Sequence, residues 1–287
     1  LKMKKCVTLP IKKVSNHQTR KQKMKPLDFF YSGIAESRIQ GSVGHTRYKN
    51  SIRFASANLG YPPKGDKYGN IYIGIGKSRT IFSAHTDTAH QQHCKIVWQA
   101  SDNYVYTDGK SALGADNASG VAVLMSLILN HVPGLYIFHD AEEKGGKGSL
   151  GFAHDNAKKL REYDRCIAFD RKGTSSIITD QYCGDTASYE FARSLSLEFR
   201  RLGMPQFRAD DTGLFTDTAN YAHIVPECTN CSVGYYNEHS FNECQDTVHL
   251  ESMIEICPQI NWENLITARI PDQLYKDKYS ENSLKFT

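Results

Sequence analysis

Seven side chains scattered along the chain are of the types that bind divalent cations or move protons: His85, Asp87, Asp116, Glu142, Glu143, Asp170 and His239. Carboxylates cannot crowd into one crevice uncompensated, because like charges a few ångströms apart raise each other's pKa and destabilise the fold. Divalent cations remove that conflict. Two imidazoles and three carboxylates suit a pair of zinc ions bridged by one carboxylate. Two metals ~3.5–4 Å apart together hold a hydroxide and polarise a carbonyl. A carboxylate left off the metals is then free to take and return a proton. The adjacent Glu142 and Glu143 fit that division, one facing the metals and the other the attacking water.

The elements that must position these groups are legible as short apolar runs. Residues 70–76 (NIYIGIG) and 79–84 (RTIFSA) predict two strands joined by a tight turn, the second ending at His85. Residues 134–138 (GLYIF) run into His139-Asp140-Ala141-Glu142-Glu143, residues 165–169 (RCIAF) into Asp170, and residues 231–236 (CSVGYY) into Asn237-Glu238-His239. Residues 118–130 predict a buried helix with Asp116 and Asn117 just before its first turn, and residues 186–202 and 247–266 predict amphipathic helices. Strands alternating with helices imply an α/β layered domain. Sites in open α/β sheets form in the crevice outside the carboxyl ends of the strands. The candidate groups fall at such ends, or at a helix start.

Three segments then carry a family resemblance: Ser83-Ala84-His85-Thr86-Asp87-Thr88, Leu113-Gly114-Ala115-Asp116-Asn117-Ala118-Ser119-Gly120 and Ala141-Glu142-Glu143-Lys144-Gly145. With Asp170 and Tyr235-Tyr236-Asn237-Glu238-His239-Ser240, they resemble, in order, the signatures of the co-catalytic zinc exopeptidases. The likeness spans roughly residues 70–265. It implies an α/β three-layer sandwich, a mostly parallel mixed central sheet with helices on both faces. It implies that His85 and Asp170 hold the first zinc, Glu143 and His239 the second, and that Asp116 bridges them. Asp87 is then the partner that fixes the His85 tautomer, and Glu142 the general base. The family also has a cis peptide just after the bridging Asp. Other divalent ions such as Co²⁺ or Mn²⁺ suit the same ligands. Members with a dimerisation lid insert on the order of a hundred residues before the last His. Here Asp170 and His239 are 69 positions apart. The chain therefore resembles the compact aminopeptidases, whose substrates carry a free amino terminus.

Other residues compete for these places. His249 rivals His239 as last ligand, but its position suits a helix start. His90 and His93 could cluster with His85 and are read as surface residues. His139 either hydrogen-bonds in the site or fills space. Asp140 either neighbours the metals or serves a turn. Asp217, in Phe215-Thr216-Asp217-Thr218, either shapes the substrate pocket or caps a helix. Gly74-Ile75-Gly76-Lys77-Ser78 mimics a phosphate loop, but the full pattern requires glycine where Ile71 stands. The glycines of Gly145-Gly146-Lys147-Gly148 suit a tight turn beside the metals. Arg171 and Lys172 are read as surface charges.

Length and composition set the outer bounds. The 287 residues are 40% hydrophobic and 23% charged. That excludes a disordered chain, a collagen-like repeat and a coiled coil. A domain this long hides about 75% of its unfolded surface. The most apolar stretch, residues 121–129, is broken by Ser126 and far short of the ~20 residues a membrane span needs. The formal net charge of +4 is uneven: residues 1–25 carry nine Lys or Arg and no acid. Residues 1–30 are read as a basic arm, 31–270 as the catalytic domain and 271–287 as a polar tail. The eight cysteines (Cys6, Cys94, Cys166, Cys183, Cys228, Cys231, Cys244 and Cys257) include one lone C-x-x-C. A zinc ribbon would need a second pair, so they are read as reduced thiols of a cytoplasmic protein.

The expectation is a zinc-dependent hydrolase of the metallo-aminopeptidase type, cleaving an amide bond in small peptides or an acylated amine. The rivals are a deacylase or carboxypeptidase on the same fold, and a one-metal glutaminyl-cyclase-like enzyme, which His85 argues against. A further rival is a nucleic-acid-associated protein using residues 1–25. No membrane partner is expected, and oligomeric state is not legible.

Overall fold

A computed structural model describes residues 25–271 apart from 183. Six helices run α1 Pro26–Gly33, α2 Val43–Asn58, α3 Ala115–Leu129, α4 Lys147–Leu160, α5 Tyr189–Arg201 and α6 Thr247–Ile256. The strands are β1 Lys64–Gly65, β2 Ile71–Ile75, β3 Thr80–His85, β4 Trp98–Ser101, β5 Tyr104–Thr107, β6 Gly134–His139 and β7 Arg165–Arg171. They continue with β8 Ser176–Ile178, β9 Asp180–Gln181, β10 Gly184–Asp185, β11 Arg208–Asp210, β12 Glu227–Ser232, β13 Tyr235–Tyr236 and β14 Cys244–Asp246.

Eight strands form one mixed sheet in the order β1-β2-β6-β3-β7-β12-β8-β11. Its centre, β6-β3-β7-β12, is parallel, with His85 level with His139 and Thr80 level with Arg165. Parallel neighbours end at the same edge. The residues after β3, β6, β7 and β12 are therefore delivered to one crevice. A second, antiparallel sheet, β13-β14-β5-β4, stands beside it and carries the loop between β13 and β14.

The side-chain alternation of the central strands supplies both faces. Ile81, Leu135, Ile137 and Cys166 pack with Phe152 of α4 and Tyr221. Phe82, Tyr136, Phe138 and Ile167 pack on the other side with α1, α3 and α6. This is the three-layer α/β sandwich expected. Burying both faces explains why these strands read as nearly continuous apolar runs. Helix α3 is buried along almost its full length, and Ser126 satisfies its hydroxyl on the Ile254 carbonyl at 2.6 Å. Gly120 lets α3 lie against β7, since a Cβ there would overlap the Phe169 carbonyl oxygen.

Several sequence expectations shift. β2 and β3 are joined by a short turn but are not partners, because β6 lies between them. The strand expected over 231–236 is broken at Gly234, whose φ of 92° is in the left-handed region. β12 ends before it and β13 starts after it. The helix expected to run to 266 stops at Ile256, where Pro258 removes an amide donor, and continues only as 3-10 turns Cys257–Gln259 and Trp262–Asn264. The helix expected from 186 starts at Tyr189, with the Ser188 hydroxyl accepting the Phe191 N–H. Phe29 and Phe30, placed in the arm from sequence, are buried in the core as part of α1. Residues 1–24 and 272–287, hence most of the arm and tail, lie outside the described residues. No helix among the described residues is long and apolar enough to cross a membrane.

Candidate active site and metal centre

The crevice at the carboxyl edge gathers the charged groups around Asp116. Its Oδ1 faces His85 Nε2 at 2.9 Å, and its Oδ2 faces His239 Nε2 at 3.0 Å. Asp170 Oδ1 approaches the same His85 nitrogen at 3.3 Å, and Glu143 Oε1 the same His239 nitrogen at 3.0 Å. Two imidazoles and three carboxylates thus make two half-cages sharing one residue. No lysine or arginine pairs with these three acids: among the described residues their ion-pair partners are His85 and His239 alone. Such an oxygen-and-imidazole set, bare of fixed cations, is one that divalent metal ions complete.

Each side chain is held by its own scaffold. His85 is the last residue of β3, with Asp87 Oδ1 3.6 Å from its other ring nitrogen. Asp87 is buried and accepts the backbone N–H groups of Glu142 and Glu143, both at 3.2 Å. These two glutamates open a single 3-10 turn after β6, reached through Ala141 at a φ of 62°. Gly145 and Gly146 leave that turn at positive φ, as a tight turn here requires. Asp116 sits at the start of α3 in non-helical geometry, and the Asp116–Asn117 peptide is cis, as the resemblance implied. Thr216 donates its hydroxyl to Asp170 Oδ2 at 2.6 Å. Tyr235 donates to the Asp170 carbonyl at 2.7 Å, and the Asn230 side chain closes on the Asp170 backbone. His239 lies in the β13–β14 loop at a φ of 61°.

The electrostatics follow from this crowding. Burial opposes charge on His85, but Asp170 and Asp116 override it and hold its pKa well above the ordinary histidine value. Asp116 and Glu143 push His239 up to about 11. Burial, with Asp170, Asp217 and Asp116 nearby, raises Glu142 well above the usual carboxylate range. The surrounding carboxylates thus favour a proton on His85 and His239, and burial favours one on Glu142.

The competing residues go elsewhere. The ring of His249 bonds to the Ser232 carbonyl at 3.2 Å from the first turn of α6. His90 bonds to Thr88 and to the Ala112 carbonyl, and His93 approaches Ser37. Asp140 is ion-paired to Lys49. His139 is buried against Asn70 and the Tyr221 hydroxyl, and burial pushes it down to about 3, so it stays neutral. Asp217 is buried close to Glu142 and Asp170, and burial pushes it up to about 8. A crevice of about 140 Å³ opens beside the cage, with Arg171, Lys172, Leu214 and Phe215 in its walls. Arg171 bonds Thr212, and Lys172 pairs with Glu238 at 2.7 Å. The turn over Gly76-Lys77-Ser78 only joins β2 to β3, and Ser78 binds Glu263.

Arg38, Glu243, Thr216, Tyr235 and Asn230 also bear on the site, although no sequence motif marks them as such. Thr216 and Tyr235 lie inside segments already singled out. Arg38 and Glu243 belong to no motif, and most of their side-chain bonds are to backbone groups distant in sequence.

The fold is similar to that of the aminopeptidase PepT from Bacillus cereus, at 14% identity and a TM-score of 0.65, covering 83% of this chain and 97% of that one. It is similar to the TET1 peptidase of Pyrococcus horikoshii, which can assemble into a tetrahedron or a large octahedral shell (15% identity, TM-score 0.64, 82% of this chain and 98% of that one). The glutaminyl cyclase of Fimbriiglobus ruber is also similar (16% identity, TM-score 0.60, 85% of this chain and 96% of that one). At such identities the likeness is one of fold. No curated protein matches the chain in sequence. Residues 70–220, more than half of the chain, match the family described as Peptidase family M28. The chain belongs to peptidase family M28 and to the hydrolases.

Proposed function

We propose that this chain is a two-zinc aminopeptidase acting on small peptides, with Glu142 as general base. The observation that carries the reading is Asp116, whose two oxygens face two different imidazoles, His85 at 2.9 Å and His239 at 3.0 Å. His85 and Asp170 would hold one ion, His239 and Glu143 the other, and Asp116 both. When bound, the ions supply Lewis acidity toward a scissile carbonyl and an acidified water. Asp87 orients the His85 ring and the Glu142–Glu143 turn together. Glu142, its affinity for protons raised by burial, takes a proton from the attacking water and returns it to the departing amine. Thr216 and Tyr235 keep Asp170 turned toward the cage.

The preference for a free amino terminus is supported by compactness. Between Asp170 and His239 the described residues form β8 to β13, α5 and a 3-10 helix at Asp217–Tyr221. Among the described residues there is no inserted lid domain to grip a terminal carboxylate.

The test is metal content on protein purified without chelator, then a panel of N-free and N-acetylated peptides. Two equivalents of zinc and cleavage of the N-free peptides are expected. Hydrolysis restricted to N-acetylated peptides would replace the aminopeptidase with a deacylase or a carboxypeptidase. Turnover in metal-stripped protein would overturn the metal-dependent reading.

A further inference from the structure

We propose that Arg38 and Glu243 clamp the loop before Asp116 from opposite sides, and that each positions one half of the metal cage. Arg38 serves the His85–Asp116 half and Glu243 the Asp116–His239 half. The proposal rests on the two-metal reading above. Both are positioning residues: each works through backbone groups beside the ligands.

Arg38 is fully buried. Its Nε donates to the Thr86 carbonyl at 2.9 Å, its Nη2 to the Gly114 carbonyl at 3.1 Å, and its Nη1 to the Gly33 carbonyl. Its backbone also exchanges bonds with Thr88, accepting from the Thr88 N–H at 3.1 Å and donating to the Thr88 hydroxyl at 3.0 Å. Thr86 follows His85 directly, and Gly114 lies two residues before Asp116. One guanidinium thus sets the distance between the end of β3 and the start of α3.

Glu243 works from the other side. It is 1% exposed, and its Oε2 accepts the N–H groups of Leu113 at 2.8 Å and Gly114 at 2.9 Å. Its Oε1 accepts the N–H of Asp116 itself at 3.0 Å. Glu243 closes the loop that carries His239 and immediately precedes β14. One carboxylate thus ties the His239 loop to the Asp116 loop. The Gly114 peptide is gripped at both ends, its oxygen by Arg38 and its nitrogen by Glu243. A buried polar group persists only where its hydrogen bonds are satisfied in this way. A glutamine at 243 would turn an NH₂ group toward backbone N–H donors and break one rim of the clamp.

The experiment is a zinc titration by calorimetry on the full chain after metal stripping, with Glu243→Gln, Arg38→Lys, His239→Ala and His85→Ala. The wild type should take two equivalents. Glu243→Gln should weaken one of them by about 10–100-fold, the usual cost of losing a group that orients a ligand, and leave the other nearly unchanged. The weakened equivalent should be the one that His239→Ala removes, so the double variant with His239→Ala loses little more. Adding Glu243→Gln to His85→Ala should instead impair both. Arg38→Lys should weaken the equivalent that His85→Ala removes. Where Glu243→Gln does not fold, Glu243→Asp, which keeps the carboxyl on a shorter arm, gives the same readout. Wild-type binding of two zinc ions with both affinities kept in the folded variants overturns the clamp alone. Equal weakening of both equivalents makes the role general stability and also overturns it. A wild type that takes fewer than two overturns the two-metal reading and the clamp with it.

Discussion

Asp87 spans the two functions of the crevice: one oxygen lies 3.6 Å from His85 Nδ1 and also accepts the Glu142 backbone N–H at 3.2 Å. Its other oxygen accepts the Glu143 N–H. A single buried carboxylate therefore orients a metal-ligand candidate and the proposed base together. Asp87→Ala should lower zinc affinity by about 10–100-fold and reduce kcat as well, because the 3-10 turn loses its anchor. Calorimetric titration and steady-state kinetics on zinc-saturated enzyme separate the two effects. A kcat that returns fully at saturating zinc would confine Asp87 to the His85 side.

Glu142→Gln keeps the shape of the turn and removes the proton acceptor. It should retain both zinc equivalents and lose kcat by about 10²–10⁴-fold, the usual contribution of a placed acid–base group. Elemental analysis and turnover on an N-free peptide check this. Normal turnover would remove Glu142 from the mechanism.

Gly120 allows the close approach of α3 to the Phe169 carbonyl, one residue before Asp170. Gly120→Val should separate α3 from β7 and so draw Asp116 away from Asp170. Weakened metal binding and a lower Tm are expected together. A variant with wild-type Tm and metal content would show that the contact can relax.

His139 is buried neutral with its pKa held down at about 3, while the unfolded chain takes up a proton near the ordinary histidine value. The unfolded state therefore binds the extra proton between these limits. The stability that neutral His139 contributes is complete above about pH 6.5. It declines as pH falls, by up to about 1.4 kcal/mol per pH unit. Denaturant unfolding of the metal-free protein between pH 6 and pH 4 should show a shallower acid slope in His139→Gln than in the wild type. Parallel slopes would mean that His139 is not the titrating group.

Phe82 is fully buried, stacked on Tyr136 at 5.1 Å and edge-on to Trp262 at 5.1 Å. Phe82→Ala should cost about 3–5 kcal/mol, the range for removing a buried ring. Its side chain points to the face away from α4, so urea unfolding should register the loss while zinc stoichiometry in the folded fraction stays at the wild-type value.

The chemistry-bearing residues were legible in the sequence because each follows a short apolar run or opens a helix, and a parallel sheet delivers such ends to one edge. The α/β class was legible for the same reason: strands covered on both faces read as unbroken apolar segments. Periodicity carries no record of strand order, so the insertion of β6 between β2 and β3 was decided only by the assembled sheet. Gly234 and Pro258 broke elements that apolar patterning alone had run together, because local backbone geometry overrides it. Arg38 and Glu243 were beyond reach. They act mainly through backbone groups 48 to 130 residues away, and a bond from a side chain to a distant peptide imposes no residue type on its partner. Residue identity alone specified which groups can bind a cation; the distances among them, and what holds those distances, exist only in the folded chain.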